Sequence, residues 1–135
     1  MKPFIYESPI LPEGFRLPVP YLDKSQDEQL DLAPWRLLCA DMATSLFYYG
    51  SMLLKFPDRP LIPFAIIQDD SGQYNDGWVV LACFDGRDST VRIFDYGRPK
   101  VSPWDNLAYS GFTEWLEAAT QESAQYKAEL AEDDD

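Results

Sequence analysis

The pattern of apolar and polar positions is clearest in the first half of the chain, where it predicts a central helix over residues 41–56. Asp41 stands at the N-cap position of this helix, and Pro57 and Pro60 stop it at its other end. Apolar residues recur along the segment with the spacing of one helical face. The predicted buried face consists of Met42, Leu46, Tyr49, Gly50 and Leu53.

Three runs typical of β-strands follow this helix. Residues 61–68 and 78–84 are almost continuously apolar, as in strands buried on both faces, and we expect the second run to be a central strand. The pair Asp85-Gly86 is a hairpin signal, and residues 91–96 supply the third strand. Residues 69–77, which are rich in turn formers, connect the first two runs. Together the runs predict an antiparallel meander.

The remaining segments are shorter or less regular. Residues 35–38 read as a short strand, and a helical turn opens at Pro18 or Pro20. A final helix begins near Ser110, and its apolar face is formed by Phe112, Trp115, Leu116 and Ala119. That face fades towards the C-terminus, where residues 129–135 are expected to fray.

Length and composition agree with a single domain over residues 1–135. A chain of 135 residues, 46% of them hydrophobic, is able to bury a core of its own. The expected fold class is α+β, with a central, mostly antiparallel sheet and helices packed on one side. Residues 122–135 form an acidic C-terminal tail in this prediction.

The chain has a formal net charge of −12, from 23 acidic and 11 basic residues. This balance argues against direct binding of nucleic acid, which requires a concentrated basic surface. It fits either a basic protein partner or a surface that only keeps the protein soluble. Between residues 114 and 135, Lys127 is the single basic residue among eight acidic ones. That segment is either a solvated helix face with a tail or a salt-sensitive docking surface.

Histidine is absent from the sequence, which removes Ser-His and Cys-His nucleophile pairs and histidine metal ligands. Cys39 and Cys83 are too few for a structural zinc site. Cys83 lies in an apolar run, where a small buried side chain is expected. No glycine-rich phosphate loop is present. We therefore expect no enzyme activity and no cofactor.

Carboxylates are the remaining candidates for catalysis. Asp69, Asp70 and Asp76 crowd one loop, but their spacing does not fit an EF-hand, and a solvated connecting loop accounts for them. Asp85 and Asp88 flank the hairpin turn, whose geometry explains both. A carboxylate or metal-dependent hydrolase is the alternative to a binding protein.

The sequence contains no apolar stretch that would serve as a signal peptide or span a membrane. The expected location is the cytoplasm, where both cysteines would be reduced thiols. Neither a membrane nor a nucleic acid is an expected partner.

Several short motifs occur in the order and spacing of a known superfamily. They are Leu17-Pro18 with Tyr21-Leu22, Pro34-Trp35 with Leu37-Leu38, Phe56-Pro57, Leu61-Ile62-Pro63-Phe64-Ala65, Ala82-Cys83-Phe84, Val91-Arg92-Ile93-Phe94-Asp95, and Phe112 with Trp115-Leu116. Over residues 17–119 this order resembles the SUKH immunity-protein superfamily. The chain departs from the superfamily pattern in its longer loop at residues 69–77 and in Phe94, where a histidine is usual.

The resemblance implies a SUKH-like α+β fold and a protein that neutralises a polymorphic toxin, often a nuclease, by direct binding. A eukaryotic branch of the superfamily regulates cell-wall synthesis through protein contacts, so a scaffold or regulatory protein without a toxin is a further alternative. Exposed aromatic residues beside acidic ones suit the contact with a basic toxin. The candidate partner-binding residues are Asp69, Asp70, Tyr74, Asp76, Trp78, Glu114 and Glu117.

Overall fold

The computed structural model of this protein describes residues 3–7, 10–68 and 75–133. Its elements are, in chain order, α1 (Val19–Ser25), β1 (Trp35–Leu37), α2 (Met42–Lys55), β2 (Leu61–Ile67), β3 (Val80–Asp85), β4 (Val91–Asp95), β5 (Ala108–Tyr109) and α3 (Phe112–Asp133). Two 3₁₀ turns, Leu38–Ala40 and Asn75–Gly77, precede α2 and β3. The α+β class predicted from the sequence is confirmed.

All five strands form one antiparallel sheet in the order of the chain, from β1 at one edge to β5 at the other. Every residue of β2 and β3 is buried. The predicted meander and its central strand are therefore confirmed, although β3 begins at Val80 rather than at residue 78. The sequence did not predict β5, because two residues are too few to show alternation.

Helices α1 and α3 cover one face of the sheet with aromatic side chains. The rings of Tyr21 from α1 and Phe112 from α3 meet the ring of Phe64 edge-on, with centroids 5.7 and 5.6 Å away. Trp115 of α3 packs against Trp35 of β1 at 5.4 Å. Burial of such large rings contributes much of the stability of a small domain.

Helix α2 covers the second face of the sheet. Its Met52 packs in a cluster with Ile66 of β2, Leu81 of β3 and Phe94 of β4, which are paired side by side across the sheet. The helices therefore lie on both faces, whereas the sequence predicted them on one side. The reason is that β2 and β3 are apolar on both faces, so each face needs its own cover.

Local signals in the sequence account for both ends of α2. The Asp41 carboxylate accepts hydrogen bonds from the backbone N–H groups of Ala43 (3.0 Å) and Thr44 (3.3 Å), which makes it the N-cap. The helix ends at Lys55, two residues before Pro57. The predicted cap and stop are both confirmed.

The buried face of α2 differs from the prediction. The side chains of α2 that are buried are Ser45, Tyr49 and Met52. From the predicted face only Tyr49 is among them, while Met42, Leu46 and Leu53 are exposed. The prediction was wrong because α2 is apolar on two sides, and spacing alone does not say which side meets the sheet.

Helix α3 is longer than the sequence predicted. It starts close to the predicted position, Ser110, and continues to Asp133. The expected fraying is therefore wrong for residues 129–133. The ammonium group of Lys127 lies 3.3 Å from the carboxylate of Asp31, which ties the last turns of α3 to the loop after α1.

Tyr6 fixes the N-terminal segment onto the core. Its buried hydroxyl lies within hydrogen-bond distance of the carbonyl groups of Pro63 (2.9 Å) and Ser45 (3.1 Å). Its ring meets that of Tyr49 edge-on at 5.0 Å. The segment thereby links α2 to β2.

Candidate functional site

The predicted acidic loop between β2 and β3 is described only in part. The candidate residues that lie outside the described residues are Asp69, Asp70 and Tyr74. Asp76 lies in the 3₁₀ turn Asn75–Gly77. Trp78 follows that turn and is 55% exposed, so the prediction of an exposed aromatic residue here is confirmed.

Hydrogen bonds hold the base of this loop. The side-chain amide of Asn75 donates to the carboxylate of Asp95 (2.9 Å), which also accepts the N–H of Gly97 (2.8 Å). A Cβ atom at Gly97 would lie 3.1 Å from atoms of the Trp78 side chain. The backbone at Gly97 therefore passes close beside the Trp78 side chain.

Glu114 and Glu117 are both exposed on α3, and their role in partner binding stays a prediction. They lie near the end of β3 where the Phe112 ring approaches Phe84 at 6.3 Å. Trp78 precedes the other end of this six-residue strand, and such a strand spans about 20 Å. The described candidate residues thus form two separate groups rather than one surface.

The first candidate surface, called the acidic face below, consists of the exposed parts of residues 19–34 and 112–132. Both segments pack on the same side of the sheet, where Tyr21 of α1 and Phe112 of α3 are in ring contact at 5.6 Å. The carboxylates of these segments are Asp23, Asp27, Glu28, Asp31, Glu114, Glu117, Glu122, Glu129 and Glu132. Their basic residues are Lys24 and Lys127. This excess of carboxylates gives one side of the protein a negative potential.

Asp31 has a defined place within the acidic face. Its carboxylate accepts the N–H of Ala33 (3.1 Å) and pairs with Lys127. The hydrogen bond from Ala33, together with the charge of Lys127, lowers the pKa of Asp31 below its ordinary value. A groove of about 500 Å³ runs beside it between α1, the following loop and β1, and its lining includes Asp27 and Leu37.

The second candidate surface is the outward side of α2, called the α2 face below. It is formed by large apolar side chains that face solvent: Met42 (57% exposed), Leu46 (41%), Phe47 (68%), Leu53 (43%) and Leu54 (87%). Contiguous exposed apolar patches of this kind on a monomer commonly mark an interaction site. The sequence analysis missed this surface, although a helix that is apolar on two sides was a visible signal.

Asp85 is a fully buried carboxylate whose pairing the sequence did not reveal. Its Oδ2 lies 2.8 Å from Arg92 Nε and 3.3 Å from Arg59 Nη2, and its Oδ1 accepts the N–H of Arg87. Burial raises the pKa of Asp85, but the hydrogen bonds and the two positive charges outweigh burial and hold the pKa below its ordinary value. Asp88 accepts a backbone N–H of the same turn. Both carboxylates thus serve the turn, as predicted.

Both cysteines are buried free thiols. Burial raises the pKa of Cys83 and also that of Cys39. Both therefore stay protonated at neutral pH, and protonated thiols are poor nucleophiles. The prediction that Cys83 is a small core side chain is confirmed.

Within residues 3–7, 10–68 and 75–133, the Cys, Asp and Glu side chains form no group of three that could hold a metal ion. In that same part of the chain, none of the helices is both long and apolar enough to cross a bilayer. The longest helix, α3, carries glutamates along its 22 residues.

Comparison of the sequence and fold with protein-family models, curated proteins and solved structures finds no match.

Proposed function

We propose that this protein is a non-enzymatic binding domain that neutralises a basic protein toxin by direct contact in the cytoplasm. The observation that carries the proposal is the acidic face, where nine carboxylates and two lysines belong to one side of the sheet. The order of motifs, which resembles the SUKH superfamily, supports immunity in particular. Two buried free thiols fit a reducing compartment.

A nuclease toxin offers the positive surface that such a face would bind. An enzyme that holds nucleic acid presents Lys and Arg side chains to the phosphates, and an inhibitor that covers these side chains excludes the nucleic acid. Complementary charge speeds the encounter and orients the two proteins, and it makes their association sensitive to salt. Neutralisation of this kind requires no chemistry from the inhibitor.

The groove beside Asp31 gives the acidic face a place for one basic side chain of the partner. Its lining combines the apolar Leu30 and Leu37 with three acidic residues and with the basic residues Lys24 and Arg36. A Lys or Arg side chain buries its aliphatic stem against apolar surface and keeps its charged end next to carboxylates. Contacts of this type add affinity and specificity to the long-range attraction.

Co-expression with the product of a neighbouring gene tests the proposal. The neighbour is expected to arrest growth on its own, this protein is expected to restore growth, and the two are expected to purify as a complex. A neighbour that is neither toxic nor bound would contradict the proposed immunity. A neighbour that is bound but harmless would favour the scaffold or regulatory alternative.

Charge reversal on α3 locates the binding surface. The double variant Glu117→Lys/Glu129→Lys is expected to associate with the toxin about tenfold or more slowly than the wild type at low salt. The reason is that attraction between oppositely charged surfaces controls the association rate. The control pair, Asp58→Lys and Asp105→Lys, changes the net charge equally at exposed positions outside the acidic face. Equal slowing by both pairs would show that the acidic face is not the contact surface.

A further inference from the structure

We propose that two copies of this protein associate through the α2 face, with the two α2 helices packed antiparallel about a two-fold axis. The α2 face and the acidic face lie on opposite sides of the sheet. Self-association therefore leaves the acidic face open, and it does not depend on the toxin-binding function proposed above.

The α2 face is continuous and contains no polar side chain. At 3.6 residues per turn, its members lie within an arc of about 140° around the helix axis. Met42, Leu46 and Leu53 form one ridge of this arc, and Phe47 with Leu54 forms the other. The helix has 14 residues, so the face extends over about 21 Å.

Two small residues lie between the ridges. Ala43 and Gly50 are seven positions apart in the middle of the arc, and no atom lies within 4 Å of the position that a Cβ of Gly50 would take. This strip leaves a shallow groove that lets a second helix approach closely. About a two-fold axis at the middle of the face, the strips of two identical helices lie opposite each other, and each ridge meets the same ridge of the other copy.

The distribution of charge favours a second copy as the occupant. Two copies with a net charge of −12 repel each other, and the repulsion is smallest where the carboxylates are fewest. The α2 face is uncharged, and its surroundings carry both signs. The exposed charged residues near the two ends of α2 are Arg36 and Lys55 with Asp41 and Asp58.

Contact through α2 also keeps the two acidic faces apart. Each acidic face lies behind its own sheet, which places it well beyond the Debye length of about 8 Å from the other at physiological salt. An antiparallel arrangement in addition sets the dipole of one α2 against the opposite dipole of the other. A basic toxin, by contrast, is attracted to the acidic face and gains nothing from charge at the α2 face.

The small size of the face favours a weak association. A face about 21 Å long and one helix wide is smaller than the ~800 Å² per partner of a standard stable interface. We therefore expect a reversible dimer with a dissociation constant on the order of ten micromolar rather than a permanent assembly.

Sedimentation of the purified full chain over a wide range of concentrations tests the proposal. The average mass of the wild-type protein is expected to rise from 15.5 kDa towards that of a dimer. Leu54→Glu and Phe47→Glu are each expected to stay monomeric throughout, since both positions are largely exposed and the fold tolerates a charge there. Leu107→Glu, the same change at a 59% exposed leucine outside the α2 face, is expected to dimerise like the wild type.

Two results would overturn the proposal. One is a wild-type protein that remains at 15.5 kDa at the highest concentration, which would leave the face to a different occupant. The other is a dimer that persists in both glutamate variants. Circular dichroism of each variant shows whether it is folded, so that a monomeric mass is not mistaken for unfolding.

Cross-linking tests the antiparallel orientation. A two-fold axis at the middle of α2 sets position 43 of one copy opposite position 54 of the other, because the helix spans Met42–Lys55. The double variant Ala43→Cys/Leu54→Cys is therefore expected to form disulfide-linked dimers faster than either single variant. Single variants that cross-link as fast as the double variant would indicate a parallel pair and overturn this orientation.

Discussion

The indole N–H of Trp35 donates a hydrogen bond to the carboxylate of Glu122 at 2.8 Å, which joins the first strand to the last helix over 87 positions of sequence. Trp35 also packs against Trp115 of the same helix. Since β1 has only three residues, these two contacts do much to hold α3 against the edge of the sheet.

Removal of the acceptor at Glu122 is expected to destabilise the protein. Glu122→Ala leaves the Trp35 N–H without its partner, and we expect the free energy of unfolding to fall by about 1–2 kcal/mol. Glu122→Gln keeps a neutral acceptor, and we expect its free energy of unfolding to fall by about half as much as that of Glu122→Ala. Urea unfolding followed by tryptophan fluorescence measures both changes, and an unchanged stability of the alanine variant would refute the role given to this contact.

The buried Asp85 is expected to make stability depend on acid pH. Its folded-state pKa lies below its ordinary value, so its stabilising effect is complete above the unfolded value of about 3.9 and is lost as pH falls through the lower folded value. Asp85→Asn leaves Arg92 without its ionised partner, and we expect the free energy of unfolding to fall by about 3 kcal/mol at neutral pH.

The stability difference between the wild type and Asp85→Asn is therefore expected to shrink below about pH 4. Urea unfolding at a series of pH values measures it. Asp105→Asn, at an exposed position, is the control and is expected to change stability little at any pH. A difference that stays constant down to pH 2 would contradict the ionised pair.

Loss of the cap at Asp41 is expected to weaken α2. Asp41→Ala removes the acceptor for the Ala43 and Thr44 N–H groups. We expect it to lower the free energy of unfolding by about 1 kcal/mol. Asp41→Asn retains a capping oxygen and is expected to remain within a few tenths of a kcal/mol of the wild type. Thermal unfolding of both variants distinguishes the cap from a general effect of charge, because both remove the same carboxylate.

The two thiols are expected to be unreactive in the folded protein. Burial raises the pKa of both Cys39 and Cys83, so neither supplies thiolate at neutral pH. A thiol reagent followed by absorbance is expected to modify them only at the rate of unfolding, and to modify both at once in denaturant. Rapid reaction of either cysteine under native conditions would show that it is not enclosed.

Local signals made the order of elements predictable. The cap at Asp41, the prolines after α2 and the Asp85-Gly86 turn each act within a few residues, and they lie where the structure has element boundaries. The long apolar runs likewise predicted β2 and β3, because strands buried on both faces need apolar residues at every position.

Contacts between distant segments were not predictable in the same way. The apolar face of α2 has the same pattern whether it meets the sheet or solvent, so only the packed structure shows that Leu46 and Leu53 face outward. The buried pair at Asp85 depends on Arg59, 26 positions away, and on Arg92 across the hairpin. Trp78 and Glu114 were both candidate partner-binding residues. The sequence did not show that they lie near opposite ends of β3, because that separation depends on how the chain folds.

The inner and outer sides of α3 have separate tasks. Trp115 and Ala119 point into the core, while Glu114 and Glu117 reach solvent from the same turns of the helix. Exchanges at the outer positions leave this packing unchanged, so the surface charge of α3 can be altered without a change to the interior. Under the proposed function, the specificity of binding can therefore change while the interior of the domain stays the same.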